Sequence, residues 1–265
     1  MNASIDFVDW SCYKSLNVRA LVEIPESDMA VERMARMATG FGRFLKNALG
    51  HEIGSGNVVS EQRDVGDFDE VTLSGIGHLS ITQTGSESLT IEAEDNILPL
   101  LTSEVRGHRL VLGTEPGAHF SPKKPIRYTL TVKELRDIRI SGAGNVEVSA
   151  LGAPSLRLEI SGAGNMTITG LAADRLEVSL SGAGSATCAG EARDQEVRIS
   201  GAGSFNAADL TSVTASVTIS GTGSAHLRVS ERLDARVSGV GSITYRGNPT
   251  VRKSVSGVGH ISQRA

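Results

Sequence analysis

A chain of 265 residues with 39% apolar and 21% charged residues has the composition of a folded domain, which excludes both a disordered chain and a membrane-embedded one. Its formal net charge of -4 offers no electrostatic attraction for nucleic acid, and aromatics at 4% point to a narrow core of Val, Leu, Ile and Ala. Two cysteines, Cys12 and Cys188, imply no disulfide framework.

Residues 1–24 do not read as a signal peptide, because Asp6, Asp9, Lys14 and Arg19 interrupt every apolar run, and no stretch of the chain is long and apolar enough for a transmembrane helix. Asn17 to Ile24, rich in Val, Leu and Ile, reads as a strand. From Ser27 to Leu49 the period changes to about 3.6. Ala30, Met34, Met37, Phe41, Phe44, Leu45 and Ala48 then share one face, with Ser27 as N-cap and Gly50 as terminator. Glu26, Asp28 and Glu32 at the start and Arg43 and Lys46 near the end suit the helix dipole, while Gly40 and Gly42 each weaken the helix by about 1 kcal/mol. This amphipathic helix over 27–49 is expected to cap the first open layer of the fold. A peripheral membrane contact through Arg33, Arg36, Arg43 and Lys46 opposite Met and Phe is the alternative, and a segment of no assigned role the third reading.

The sequence divides into an N-terminal segment (1–52), an irregular half (53–140) and a regular half (141–265). Ile53-Gly54-Ser55-Gly56-Asn57-Val58 reads as the start of a solenoid, followed 21 residues later by Gly75-Ile76-Gly77; the glycine pair then vanishes for 67 residues, about three turns of chain. Strands are expected at His78–Thr82, Leu89–Ala93, Arg109–Leu112, Ile126–Val132 and Ile138–Ile140, an irregular or helical excursion at Asn96–Val105, and a surface loop over Glu115–Pro125, which holds three prolines. Asp64, Asp67, Asp69 and Glu70 form the densest acidic group, read as a solvated turn with cation binding as the alternative. Insertions in a solenoid collect on one face, so this half is the first place to look for any specific ligand site.

In the regular half the tetrapeptide Ser-Gly-x-Gly returns at Ser141, Ser161, Ser181, Ser200, Ser220, Ser238 and Ser256, in steps of 20, 20, 19, 20, 18 and 18 residues. Between the glycines, Asn145-Val146-Glu147-Val148 and Leu156-Arg157-Leu158-Glu159-Ile160 alternate with the two-residue period of strands, so each repeat is expected to hold two short strands. Alignment on the glycines gives one apolar column of Val146/Val148, Met166/Ile168, Ala186/Cys188, Phe205/Ala207, Ala225/Leu227 and Ile243/Tyr245. A second holds Leu156/Leu158/Ile160, Leu176/Val178/Leu180, Val197/Ile199, Ala215/Val217/Ile219, Ala235/Val237 and Val251/Val255. Arg157, Glu159, Arg175, Glu177, Glu196, Arg198, Asp234 and Arg236 face outward with charges of both signs, while Gln195 and Lys253 break the pattern by falling in inward columns. The fold class is therefore all-β, a β-solenoid with one N-terminal amphipathic helix.

The glycine pairs Gly75/Gly77, Gly142/Gly144, Gly162/Gly164, Gly182/Gly184, Gly201/Gly203, Gly221/Gly223, Gly239/Gly241 and Gly257/Gly259 are read as structural corners, where neighbouring layers leave no room for a β-carbon. Their serines, and Asn145, Asn165, Ser185, Ser204, Ser224 and Ser242 after them, are placed to bond local backbone or form ladders between layers. The alternative is a ligand cradle of exposed amides.

These repeats, with the run Val65-Gly66-Asp67-Phe68-Asp69-Glu70-Val71-Thr72-Leu73-Ser74-Gly75-Ile76-Gly77, resemble the bacterial auto-transporter adhesin head, or GIN, domain. Ser88 to Ala93, Asp95 to Leu98 and Lys124 to Val132 are similar to it as well, so that the likeness covers about residues 53–265. The resemblance implies a right-handed β-helix-like fold, location in the cell envelope or secretion, and no established enzymatic activity. The absence of a visible leader departs from that; export by another route, or a true start other than Met1, is preferred to an intracellular protein.

No pattern in the sequence marks a catalytic, cofactor-binding or metal-binding residue. Parallel β-helices that cleave polysaccharides need clustered acids, whereas Glu159, Glu177 and Glu196 stand singly among arginines. Ser-Gly-Ala-Gly-Asn lacks the aspartate of the nonapeptide calcium repeat, Gly-Ala-Gly-Asn-Val-Glu lacks the third glycine of a dinucleotide fingerprint, and no Gly-x-Ser-x-Gly stands between strand and helix. His51, His78, His108, His119, His226 and His260 lack metal-ligand spacing. The expectation is a non-enzymatic, adhesin-like binding or scaffold protein whose partner is a protein, a surface glycan or another copy of itself, and not nucleic acid. A polysaccharide-binding or polysaccharide-degrading protein is the first alternative, and an intracellular end-to-end assembly protein the second.

Overall fold

Apolar columns that pass from repeat to repeat require strands bonded in register, because a slip of one residue would turn every inward side chain to water. The computed structural model describes residues 51–264, and there the chain is all-β and wound as a β-solenoid. The helix expected over 27–49, with its capping and membrane roles, and the strand expected over 17–24 lie outside the described residues.

The irregular half contains β1 (Glu52–Ile53), β2 (Val58–Arg63), β3 (Glu70–Leu73), β4 (Ile76–Gln83), β5 (Ser88–Glu94), β6 (Leu101–Arg106), β7 (Arg109–Thr114), β8 (Phe120–Ser121) and β9 (Arg127–Val132). β10 (Asp137–Ile140) leads into β11 (Ala143–Val148), β12 (Leu151–Ile160), β13 (Asn165–Leu180), β14 (Ser185–Ile199), β15 (Ser204–Ile219), β16 (Thr222–Val237), β17 (Val240–Arg246), β18 (Thr250–Val255) and β19 (Val258–Gln263).

From β10 onward neighbouring layers pair in parallel. Val146, Met166, Ala186, Phe205, Ala225, Ile243 and Ile261 stand opposite one another in succession, as do Leu158, Val178, Val197, Val217 and Ala235, and all are buried. Each large aliphatic side chain so buried contributes about 1.5–3 kcal/mol. Two short strands per repeat is corrected: β13 to β16 are continuous strands of 15 or 16 residues, which bend between their two apolar runs while keeping most of their bonds to the next layer. Leu151, Leu171, Leu210 and Val229 add a further buried set within these bent strands. Val255, placed inward from the sequence, is 45% exposed, because β18 pairs on one side only. Lys253 is exposed too, its Nζ bonded to Ile261 O at 3.3 Å and lying 5.4 Å from the centre of the Tyr245 ring. Gln195 is buried as placed, and neither of its amide atoms has a partner.

Chain order and stacking order differ in the irregular half. β3 lies between β7 and β10, and β4 between β9 and β11, all in parallel. The chain therefore leaves after β4, comes back as β7 and β9 on the far side of β3 and β4, and crosses to the near side as β10 and β11. The 67-residue step from Gly75 to Gly142 thus holds an inserted layer with antiparallel strands beyond it, not three successive turns: β6 pairs with β7 and β5 with β9, and the earlier β2 runs against β5. Nor does the solenoid start at Ile53–Val58. Ile53 stands opposite Ser121 in the small β1–β8 sheet, and β2 runs against β5. Within the expected excursion, a single 3-10 turn at Leu98–Leu100 precedes β6.

One side-chain knot ties this end together. Glu94, almost fully buried, accepts the amides of Gly56 (2.6 Å), Lys123 (2.8 Å) and Lys124 (3.3 Å). Asp95 accepts the Ser55 hydroxyl (2.5 Å) and the Asn57 side-chain amide (3.0 Å), while Asn96 accepts Ser55 N–H (2.9 Å) and donates to Ile53 O (2.8 Å). Burial pushes the Glu94 carboxyl up, but the three amides and the Lys123 charge together outweigh it and hold it below the usual carboxylate range.

Two expectations follow. A Cβ on Gly182 would stand 2.5 Å from Ser161 O and closer still to Gly162 O, so Gly182→Ala should lower stability by about 1–3 kcal/mol, whereas Ala183→Ser at the exposed neighbouring position should stay within about 0.5 kcal/mol; urea denaturation midpoints distinguish them. Because the folded Glu94 pKa is lowered, its contribution is complete above the ordinary carboxylate range and is lost as pH falls through the lowered value. Glu94→Gln should therefore melt well below the parent at neutral pH, and the gap should close on acidification, as read from Tm against pH.

Candidate functional site

Strand alternation turns every second residue of these long strands outward, so stacking lines up outer side chains as strictly as inner ones. On one face this makes a ladder of both signs of charge, in which even the like-charged neighbours Glu177 and Glu196 are bridged by an arginine. Arg139 bonds Asp137 (2.7 Å) and reaches Glu159 (3.6 Å); further along, Arg157 bonds Glu177 (2.9 Å), Arg175 bridges Glu177 (2.9 Å) and Glu196 (2.6 Å), and Arg198 closes on Glu196. The Arg175 hydrogen bond is the main cause holding the Glu177 carboxyl below its ordinary value, against burial, with the Arg157 charge helping. With the arginines half exposed, each pair is worth at most about 1 kcal/mol.

The opposite run carries small, uncharged polar groups. His78, Asn145, Asn165, Ser185, Ser204, Ser224, Ser242 and His260 stand in one register column. Asn165 donates to Asn145 Oδ1 (3.1 Å) and Ser185 to Asn165 Oδ1 (2.6 Å), so part of the column is bonded across layers. Between the two runs sit the glycine corners. A Cβ on Gly142, Gly162, Gly182, Gly201, Gly221, Gly239 or Gly257 would strike the glycine and serine carbonyls of the preceding layer, and one on Gly164, Gly184, Gly203, Gly223 or Gly241 the carbonyl of the glycine before it in the column. Gly144 and Gly259 face Leu73 and Val237 side chains as well, Gly77 combines φ +131° with close approach to Tyr128, and Gly75 alone has ordinary clearance. The corner amides are occupied: Ser161 N–H bonds Ile140 O (2.9 Å) and Ala163 N–H bonds Gly142 O (3.1 Å), a pattern repeated at Ser181, Ala183, Ser200, Ala202, Ser220 and Thr222. Amides so engaged are not free to cradle a ligand.

The acidic group of the irregular half is divided among basic partners. Glu70 pairs with Arg109 and Arg136, and Asp69 with Arg136 (3.1 Å). Asp67, at φ 59°, is held by Glu87, which accepts its amide and that of Phe68 while bonding Lys133 (2.7 Å). Among the described residues no three His, Cys, Asp or Glu are grouped to hold a metal ion. Cys188 is buried in the core, where loss of solvent pushes its thiol up to about 12, so it is no nucleophile at neutral pH.

The concavities described are shallow surface depressions. One of about 360 Å³ is bordered by Arg175, Asp194, Glu196 and Arg232, another of about 230 Å³ by Arg157, Glu159, Glu177 and Arg198. A third, about 250 Å³, lies near the C-terminal end among Asn206, His226, Thr244, Arg246 and Arg264. None of its residues was singled out from the sequence as a site, although the signal is there: Arg228, Arg246 and Arg264 each fall five residues after the second glycine of their repeat.

The chain matches solved structures over most of its length. A putative adhesin from Bacteroides fragilis NCTC 9343 is 29% identical, with a TM-score of 0.77 over 80% of this chain and 99% of that one. A putative lipid binding protein from Parabacteroides distasonis ATCC 8503 is 21% identical (TM-score 0.71, 82% and 100% covered), and a putative adhesin from Parabacteroides merdae ATCC 43184 is 23% identical (TM-score 0.65, 81% and 99% covered); both share the fold. No curated protein matches. Residues 67–249 match the family described as putative auto-transporter adhesin, head GIN domain, and the chain belongs to that family.

Proposed function

We propose that the chain is a non-enzymatic binding module of the bacterial cell envelope, adhesin-like, whose long outer faces hold an extended partner, a protein or a surface glycan. The observation that carries this reading is the outer ladder itself: Glu159, Glu177 and Glu196 each lie against an arginine, so the face offers a repeating surface and no pair of free carboxylates to act as acid and base. The glycine corners fit the same reading as architecture, since their amides and space serve the layer beneath. The likeness to the putative adhesin from B. fragilis supports it from outside the chain.

Two features favour a second reading, end-to-end association. Among the described residues β18 and β19 each pair on one side only, with Val255 45% and Val258 77% exposed beside them. From Phe205 onward the described chain holds seven Lys and Arg against three Asp and Glu, although the whole chain is acidic.

Incubation with a panel of envelope polysaccharides should give retention of the protein without new reducing ends. Release of reducing ends that disappears in the Glu177→Gln/Glu196→Gln double variant would make the protein a hydrolase instead. For the second reading, sedimentation should depend on concentration in the parent and much less in Val258→Lys. A monodisperse monomer at high concentration would rule out that assembly.

A further inference from the structure

The charged columns of this molecule follow two opposite rules. Along the long ladder each arginine meets a carboxylate of its own or the adjacent layer, as at Arg157, Arg175 and Arg198. At the C-terminal end three arginines stack on one another. Arg228 stands opposite Arg246 in the parallel register, and Arg264 follows Gln263, which stands opposite Tyr245, its own amide bonded to Tyr245 O at 2.8 Å. The three are exposed, and among the described residues none of their guanidinium groups takes part in an ion pair or a hydrogen bond. Like charges directly opposite on paired strands repel, so this column costs stability where Ser149, Thr169, Ala189 and Ala208 hold the equivalent place in earlier repeats. A column that destabilises the free protein fits a role with an anionic ligand.

We propose that Arg228, Arg246 and Arg264 form a binding site for a linear acidic polysaccharide whose carboxylates they take along the solenoid axis. Successive layers are about 4.8 Å apart, close to the advance of one sugar ring in an extended chain, and a guanidinium binds a carboxylate through two parallel N–H donors. His226, Thr244 and Asn206, which border the depression beside Arg246 and Arg264, offer donors and acceptors for ring hydroxyls. Among the described residues the exposed large apolar side chains are Ile and Val, with no Phe, Trp or Tyr among them, and Tyr245 beneath the column is buried. Affinity for a neutral sugar or for unpaired bases draws on aromatic stacking; here charge must supply it, which points to an acidic glycan in preference to a neutral one or to a single-stranded nucleic acid.

This inference rests on the binding reading above and names the ligand class for one face. The test is titration calorimetry of the full chain with an oligogalacturonate of defined length, the matching cello-oligosaccharide, and a single-stranded oligodeoxynucleotide of equal charge. The proteins are the parent, the triple variant R228Q/R246Q/R264Q, and R106Q/R127Q/R193Q, which loses the same charge from scattered positions. The parent should bind the uronate, more weakly as salt rises; the column variant should lose about tenfold or more, and the scattered variant much less. The column variant should also melt no lower than the parent, because only repulsion is removed. Equal loss in both variants, equal binding of the neutral oligomer, tighter binding of the oligodeoxynucleotide, no binding of the uronate, or a lower Tm in the column variant would each overturn the assignment. Retention of the protein by other envelope polysaccharides in the panel above would in those cases leave the binding reading standing.

Discussion

The structure depends on how closely one layer can approach the next at the glycine corner. Along the strands the distance between layers is set by backbone hydrogen bonds, and side chains clear one another by pointing in or out. At the corner the chain turns with its carbonyls aimed along the stacking direction, so that the oxygen of Gly162 lies where a β-carbon of Gly182 would have to be. The amide of Ala183 uses that same oxygen, at 3.1 Å. Close approach and hydrogen bond are therefore one interaction, and a larger residue would have to open both. Because each layer from Gly142 onward makes the same demand, a glycine recurs at each of those corners, while the sides of the layer remain open to change.

That asymmetry explains what could be read from the sequence. The period and the apolar columns were legible because each repeats in every layer and follows from the pairing rule alone, and the outward charges because they alternate with the apolar positions along each strand. The continuity of β13 to β16 was not, since a strand that bends without losing its inter-layer bonds leaves no turn residues to mark a break or its absence. Nor was the stacking of β7 and β9 beyond β3 and β4, because local pattern identifies a strand but not the side on which it docks. The Glu94 knot was equally hidden: its three amide donors come from segments 29 to 38 residues away, and nothing in Glu94-Asp95-Asn96 announces them. Arg228, Arg246 and Arg264 are a different case, since their fixed offset from the glycines stands in the sequence but only the register shows that they share a column.

The two ends of the solenoid meet the edge problem differently. At the N-terminal end of the described chain the parallel stack stops at β7 and β9, and antiparallel β5 and β6 use up their outward bonding edges. The insertion between the glycine pairs thus ends the parallel stack by reversing strand direction, and the outer edges at this end become those of β2 and β6, each paired with one strand among the described residues. Glu94 sits at the close of β5 and fastens Gly56 and the 123–124 loop to it, so the closing strands are held by charge-assisted bonds as well as by their ladder. At the other end β18 and β19 keep their outer edges unpaired within the described chain.

Register gives a solenoid only two ways to place charge on its outer faces. Opposite charges in neighbouring layers neutralise one another, and the ladder from Arg157 to Arg198 spends its guanidinium groups in this way, leaving little to attract a partner at long range. Like charges in the same column add, and the cost of holding them apart rises with each layer, so such a column persists only while the core beneath can carry it. Beneath Arg228 and Arg246 lie Leu227, Val229 and Tyr245, all buried, so the layers that bear the repulsion are anchored by complete inward columns. The stacking that makes the fold repetitive therefore also decides where it can differ from itself: a change of one outward residue in three successive repeats converts a neutral face into a concentrated one without altering the core, the corners or the bonds between layers.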